Sequence, residues 1–345
     1  MTDFNKRLKK TRNYLSKIKG DGLFIASYPN VVYLTGLKDV EGLLYITKNY
    51  SYFFTSSIYR DFAAQNIKIP AEVTDPYKSH DFKKILSSSK KPFFIPSEVS
   101  YERVKNWVKI SGKEILSVKT DPVKNLRAIK QQEEIKIIKK SVQISKDIFK
   151  DLKKFIKPGV SEIETVGYFL YLIRKKWAAK ESFAPIVAFG ENASFPHHAS
   201  NDRKLKKNDI ILIDFGVNFQ GYHSDLTRTY YVGHIPEDFK NIYKIVEDVQ
   251  KMVIEKLTEE KSCKKLFLYA YNLFEKKGLG KNFTHGLGHG IGLEIHESPS
   301  LSSKSRDILK ENMVITIEPG LYITNKFGVR IEDDILINEN TIEIL

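Results

Sequence analysis

Asp214 stands in Ile211-Leu-Ile-Asp214-Phe-Gly216, a carboxylate among branched aliphatic residues, where a charge is costly to bury unless a partner or a metal ion takes it up. Asp225 follows eleven residues later in Tyr222-His-Ser-Asp225-Leu-Thr-Arg-Thr229. Glu318, in Val314-Ile-Thr-Ile-Glu318-Pro-Gly320, and Glu332, in Gly328-Val-Arg-Ile-Glu332-Asp-Asp334, repeat the pattern. Any one of these acids alone reads as a turn residue, an ion-pair partner or an edge-strand charge. Four in apolar strand contexts, joined by His289 in the glycine-rich Thr284-His-Gly-Leu-Gly-His289-Gly-Ile-Gly292, suit a carboxylate-rich dinuclear site. Oxygen and imidazole ligands favour hard or borderline divalent ions, with Mn²⁺ the first expectation and Co²⁺ or Zn²⁺ the alternatives. Two such ions about 3.5–4 Å apart share bridging ligands in hydrolytic centres, so the residues point to a two-metal hydrolase.

Two other motifs in the same stretch carry less. Gly286-Leu-Gly288 looks like a dinucleotide loop only in isolation, because no βαβ unit lies behind it. His285 and His289 are four apart, as in helical zinc proteases, yet no Glu follows His285 and the glycines disfavour a helix.

These residues need elements to position them. The segments that hold them, 209–216, 222–233, 288–295, 313–321 and 329–337, read as strands, the first two joined through 218–221. Helices surround them. Ile135, Ile138, Val142, Phe149, Leu152 and Ile156 share one helical face, which Pro158-Gly159 ends. Ser161 and Glu164 form a capping box for a helix reaching about Trp177. Another helix opens near Pro236, with Phe239, Ile242, Val246, Val249 and Val253 on its stripe, and a further one covers 264–276. The expectation is an α+β domain over 125–345, helices outside and a sheet carrying the chemistry. Before it, 23–26, 31–34, 42–47, 51–55 and 92–95 read as strands and 58–65 and 98–108 as helices, a smaller α/β domain over 1–124 with a turn at Asp121-Pro122.

A length of 345 residues accommodates two such domains, since single cores rarely grow past about 250 residues. With 41% hydrophobic and 28% charged residues the chain reads as soluble and globular, and no apolar run approaches the roughly 20 residues of a membrane span. The basic first twenty residues lack the apolar stretch of a secretory signal; Phe4, Leu8, Leu15 and Ile18 read instead as a first helix, with a transit peptide as the alternative. The single Cys263 leaves no intramolecular disulfide and reads as a buried thiol in a reducing, cytoplasmic setting. Most of the positive charge behind the net +14 is lysine, its pairs are scattered and no arginine cluster accompanies them, which reads as a solvated surface with no specific nucleic-acid partner expected.

The ordered segments Ile213-Asp-Phe-Gly216, Ser224-Asp-Leu-Thr-Arg228, His285 to Gly292, Ile317-Glu-Pro-Gly320 and Arg330-Ile-Glu-Asp333 resemble the motifs of the pita-bread metallopeptidases, the family of methionine aminopeptidase, prolidase and aminopeptidase P. The first domain resembles the creatinase/prolidase N-terminal domain, most visibly at Tyr28-Pro-Asn-Val-Val-Tyr-Leu-Thr-Gly36. The resemblance implies that Asp214 chelates one metal, Asp225 and Glu332 bridge both, and His289 and Glu318 complete the second. It implies a nucleophilic water between the ions, whose proton the Glu318 position helps to handle. It also implies that His197, His285 and His296 surround the substrate and polarise the scissile amide, and that Arg330 orients ligands by hydrogen bonding. His198 competes with His197 in register, and the spacing to Asp214 favours His197.

The N-terminal domain points to the proline-directed branch, with peptides carrying proline in second position as substrates. Many prolidases resembling this chain carry an arginine shortly after the His296 position that can hold the dipeptide carboxylate. Here Glu297-Ser-Pro-Ser300 has none until Arg306, which favours an Xaa-Pro aminopeptidase acting on Xaa-Pro-Yaa over an Xaa-Pro dipeptidase. A catalytically inactive relative that binds protein or RNA is the reading from another class, and a homodimer is implied by family analogy.

Overall fold

Phe4–Lys17 opens the chain as a helix, its first turn capped by the Asp3 carboxylate accepting from Lys6 N at 2.8 Å. The structure, a computed structural model, describes residues 2–75, 79–177, 179–339 and 341–345, so Met1 lies outside it. Contacts divide the chain into two units, Met1–Arg127 and Ala128–Leu345.

The first unit holds a six-stranded mixed sheet in the order Glu72–Thr74, Ser51–Phe54, Leu43–Thr47, Gly22–Ile25, Pro92–Phe94, Leu116–Ser117. Helices Ser57–Asn66, Ser79–Ser88 and Tyr101–Ser111 accompany it. Its core is aromatic: Phe24 stacks on Trp107 at 4.2 Å between ring centres, and Phe54 meets Phe82 edge-on at 5.0 Å.

Three expectations change here. Residues 31–34, read as a strand from their β-branched content, lie inside the helix Tyr28–Thr35. Pro29 pre-sets its first turn, and Gly36 ends it at φ 74°, a left-handed position open to glycine. The helix read over 98–108 starts at Tyr101, capped by Ser100, which leaves Glu98 outside it to accept from Ala26 N at 2.7 Å and Ser27 Oγ at 2.8 Å. Asp121-Pro122 is the start of a short helix, Pro122–Arg127, because the Asp121 carboxylate accepts from Val123 N and Lys124 N.

In the second unit the helices stand near where periodicity placed them: Gln132–Phe155, Glu162–Trp177, Glu237–Lys256 and Cys263–Glu275. The Ser161–Glu164 capping box is present in both directions, at 2.7 Å and 3.2 Å. Cys263 is buried, its thiol pushed up to about 12 by burial and by Asp307. The single chemistry-bearing sheet is the expectation that fails. Ile210–Phe215 pairs antiparallel with Leu226–Tyr231, but Val217–Phe219 and Tyr222–His223 between them leave for a separate three-stranded sheet. The Ser224 side chain directs this departure by accepting from Val217 N at 3.1 Å. A five-stranded sheet contains Gly288–Gly290, Val314–Ile317 and Asp333–Ile337, and a two-stranded ribbon pairs Gly320–Ile323 with Phe327–Arg330. Ligand candidates thus come from three separate ladders, over a core that includes Leu212, Val246, Phe274, Ile315 and Ile335.

Candidate metal centre

Asp214, on the fully buried strand Ile210–Phe215, sits opposite Thr227 in the antiparallel register. Thr227 donates its hydroxyl proton to Glu332, and the Glu332 amide donates to the Thr227 carbonyl at 3.2 Å, so one residue fixes both ends of that acid. Asp225, just before Leu226–Tyr231, is held by its own amide, which donates to Asp334 Oδ2 at 3.0 Å. The Glu318 amide donates to Leu287 O at 2.9 Å, and the His289 amide to Thr316 Oγ1 at 3.1 Å. Backbone anchoring from neighbouring ladders therefore orients each candidate, with Asp214, Asp225 and Glu332 all below one-tenth exposed.

Asp225, His289 and Glu332 present ligand atoms that lie within 4.8 Å of one another. His289 Nε2 stands 3.7 Å from Asp225 Oδ2 and 3.6 Å from Glu318 Oε1. Its Nδ1 faces Gly290 O at 3.1 Å, which places the ring proton on Nδ1 and turns the Nε2 lone pair toward the carboxylates. Burial, and secondarily His296, lower this imidazole to about 4, so it is neutral. A lone pair facing carboxyl oxygens at distances too long for a hydrogen bond is an arrangement that a cation completes. Asp214 Oδ1 and Asp225 Oδ1 are buried without a hydrogen-bond partner.

The carboxyls report the same strain. Burial, then Glu332, Asp214, Asp334 and Glu318, push Asp225 well above the usual carboxylate range. Burial, then Glu318 and Asp214, do so for Glu332. Glu318 is pushed up to about 8 by burial, with Asp214 adding to the rise and Arg330 and Thr316 opposing it. Divalent cations would remove that penalty, and the donor set of oxygens with one imidazole nitrogen fits them.

Arg330, fully enclosed, donates Nη2 to Asp214 Oδ2, Nη1 to Tyr322 Oη and Nε to Thr227 Oγ1 at 3.2 Å. His285 Nδ1 faces Gly286 O at 2.8 Å, so its Nε2 accepts from the Tyr322 hydroxyl at 3.0 Å. Gly320 keeps this corner open, since a Cβ there would lie 2.8 Å from Tyr322 Oη and 3.0 Å from His285 Nε2. His285 is neutral, lowered to about 4 by burial and then by Arg330. His296 stacks edge-on against His289 at 4.3 Å, and His197 stands close enough to both His285 and His296 to lower their imidazoles. His197 and His296 are exposed while His285 and His289 are partly buried, so the former pair lies at the mouth. His198 is not among them: its Nε2 bonds Glu162 Oε2 at 2.7 Å.

The structure thus gathers Asp214, Asp225, His289, Glu318, Glu332, His197, His285, His296 and Arg330 in one region. Tyr322 and Thr227 were not singled out from the sequence. Tyr322 lies two residues after Gly320 on a strand whose hydroxyl-bearing residue gives no periodic signal; Thr227 sits inside a quoted motif, yet only the strand register shows that it holds Glu332.

A small mixed α/β unit preceding an α+β unit with a buried acid–imidazole cluster defines the class: a two-domain pita-bread metallopeptidase. The metallopeptidase family M24 model matches residues 136–339, and the creatinase/prolidase N-terminal domain model matches residues 7–129. The chain belongs to metallopeptidase family M24. It is 35% identical over 341 residues to an Xaa-Pro dipeptidase of Pyrococcus horikoshii, covering 99% of this chain and 96% of that one. Its fold matches an Xaa-Pro dipeptidase from Bacillus anthracis with a TM-score of 0.95 at 30% identity, over 99% and 97% of the two chains. An X-Pro aminopeptidase from Thermotoga maritima matches with a TM-score of 0.85, also at 30% identity, over 96% and 97%. Among the described residues, no helix is long and apolar enough to cross a membrane.

Proposed function

We propose that this metallopeptidase hydrolyses the peptide bond that precedes proline, with Xaa-Pro dipeptides as its preferred substrates. The observation that carries the dipeptidase reading is the 35% identity to an Xaa-Pro dipeptidase along nearly the whole of both chains. It favours the dipeptidase reading over the longer-peptide preference expected from the sequence. That second reading keeps one observation in its favour: residues 297–305 contain no arginine to meet a dipeptide carboxylate.

Asp214, Asp225, His289, Glu318 and Glu332 would hold two divalent ions. The chemistry such ions supply when bound is Lewis-acid polarisation of a carbonyl and acidification of water. The chain's own groups do the remainder. Glu318, at the edge of the cluster and 3.8 Å from His285 Nδ1, is placed to accept and return a proton. His197 and His296 at the mouth are donors to the scissile carbonyl and its developing negative charge, while His285 behind them, its Nδ1 proton given to Gly286 O and its Nε2 accepting from Tyr322, lines the site. Arg330 pairs with Asp214 and, through Tyr322, fixes His285. Proline-directed cleavage follows from a substrate amide with no N–H to bind, which general peptidases handle poorly.

The test is a panel of Xaa-Pro, Xaa-Pro-Yaa and Met-Ala-Yaa peptides assayed with Mn²⁺, Co²⁺ or Zn²⁺. Faster turnover of Xaa-Pro is expected. Release of the first residue from Xaa-Pro-Yaa with no dipeptide turnover would restore the aminopeptidase reading, and cleavage of Met-Ala-Yaa alone would remove proline specificity. Sedimentation of the same preparation checks the homodimer, and metal analysis of the protein as purified checks manganese.

A further inference from the structure

Glu162 is the first residue of the helix Glu162–Trp177 and is completely buried. None of the chemistry above uses it. A buried carboxylate needs its lone pairs satisfied, and this one is satisfied four times over by a single segment. Oε1 accepts from Phe189 N at 2.8 Å and Asn192 Nδ2 at 2.9 Å; Oε2 accepts from His198 Nε2 at 2.7 Å and Asn201 N at 3.1 Å. The helix start adds two more ties, because Glu162 N donates to Arg203 O at 3.1 Å and Ile163 N to Asn201 O at 2.9 Å.

The segment so gripped, 189–201, carries His197 and Pro196, whose carbonyl accepts from Arg330 Nη1 at 3.4 Å. It leaves the strand Ile186–Phe189, turns through Gly190–Ser194 and returns past the mouth of the metal cluster. His197 itself is exposed and has no hydrogen-bond anchor in this network, while its neighbour His198 is tied to Glu162. Pro196 and His197 are the central pair of a turn closed by His198 N donating to Phe195 O at 3.2 Å, so anchoring the His198 side chain on Glu162 fixes the frame from which His197 projects.

We propose that Glu162, acting through His198, is a positioning residue for His197: its carboxylate sets the loop so that the His197 imidazole faces the scissile amide. The proposal rests on the reading of His197 as a substrate-facing donor. A displacement near 1 Å in such a group costs on the order of a hundredfold in rate, whereas a residue that only holds the fold together would change the amount of active enzyme and not the rate per site.

The experiment is a double-mutant cycle on the full-length, metal-loaded protein, comparing Glu162→Gln, His197→Ala and the double variant. The amide of Gln keeps one acceptor and opposes a donor with a donor on the other side. Glu162→Gln should lower kcat for an Xaa-Pro dipeptide about tenfold or more, at unchanged bound metal and with KM moved less than about threefold. Added to His197→Ala, it should cost no more than about twofold further. Hydrogen exchange at the Phe189 and Asn201 amides should accelerate in Glu162→Gln. Wild-type kcat in Glu162→Gln, or losses that multiply in the double variant, would overturn the proposal. If Glu162→Gln does not fold, His198→Asn enters the same cycle under the same criteria, with a smaller loss expected because three donors remain. If the wild-type protein cleaves no Xaa-Pro peptide, the reading of the reaction fails, and the exchange measurement still decides whether Glu162 pins this loop: unchanged exchange rules it out.

Discussion

Glu98, half-buried in the first unit, and the clustered acids of the second are treated oppositely. In the first, Glu98 is held by the Ala26 amide, the Ser27 hydroxyl and the Asn30 side chain, all donors. Its carboxyl is raised by burial, and the hydrogen bonds from Ala26 and Ser27 oppose the rise. In the second, Asp225, Glu318 and Glu332 face one another and an unprotonated imidazole nitrogen, and two buried oxygens of Asp214 and Asp225 have no partner. Burial is common to both; what distinguishes structure from chemistry is whether the surrounding donors complete the acid or leave it waiting for a cation.

The comparison is most exposed to loss of a ligand. His289→Ala or Glu332→Gln should reduce turnover of an Xaa-Pro dipeptide more than about a hundredfold, since even outer partners of ligands cost 10–100-fold. Steady-state kinetics with bound-metal analysis checks it, and near-normal turnover with full metal would move the centre elsewhere.

Chelation should next reveal the penalty directly. In metal-free protein the raised carboxyls favour folding fully below the unfolded range near pH 4 and progressively less as pH climbs through the folded value of about 8 for Glu318. Thermal melts in chelator are therefore expected to fall from pH 5 to pH 8, with added Mn²⁺ recovering several degrees at the upper end. A flat profile would mean that the acids are already compensated.

Tyr322→Phe removes the hydroxyl between Arg330 and His285. A loss of about 10–100-fold in kcat is expected, with metal content retained, as for other groups that orient a site's first layer. A change in KM alone would argue that Tyr322 only shapes the pocket.

The smallest effect should come from the first unit. Glu98→Gln preserves shape and two of the acceptor contacts, so it should change stability by about 1 kcal/mol and kcat by less than about twofold. A large kinetic effect would break the contrast between the two acids.

Much of this is legible in the sequence. Asp214, Asp225, Glu318 and Glu332 stood out because an acid in an aliphatic strand is locally anomalous, and the amphipathic helices declared themselves by spacing. The stretch 31–34 misled because β-branched residues favour strands only weakly, and Pro29 and Gly36 bound a helix that buries Val31, Val32, Tyr33 and Leu34 together. The choice between His197 and His198 rested on spacing to Asp214, and nothing local to the pair distinguishes them.

Composition, periodicity and the ordered motifs by themselves determined the two-domain α/β and α+β organisation and the residues fit to bind metal, because each of those signals is carried by neighbours within a turn or a strand. Only the tertiary structure decided which ring nitrogen of His289 is free, that Tyr322 joins Arg330 to His285, and that Glu162 takes His198 away from the site. Those are matters of hydrogen bonds between ladders and helices tens to a hundred residues apart, and no local pattern encodes a partner at that distance.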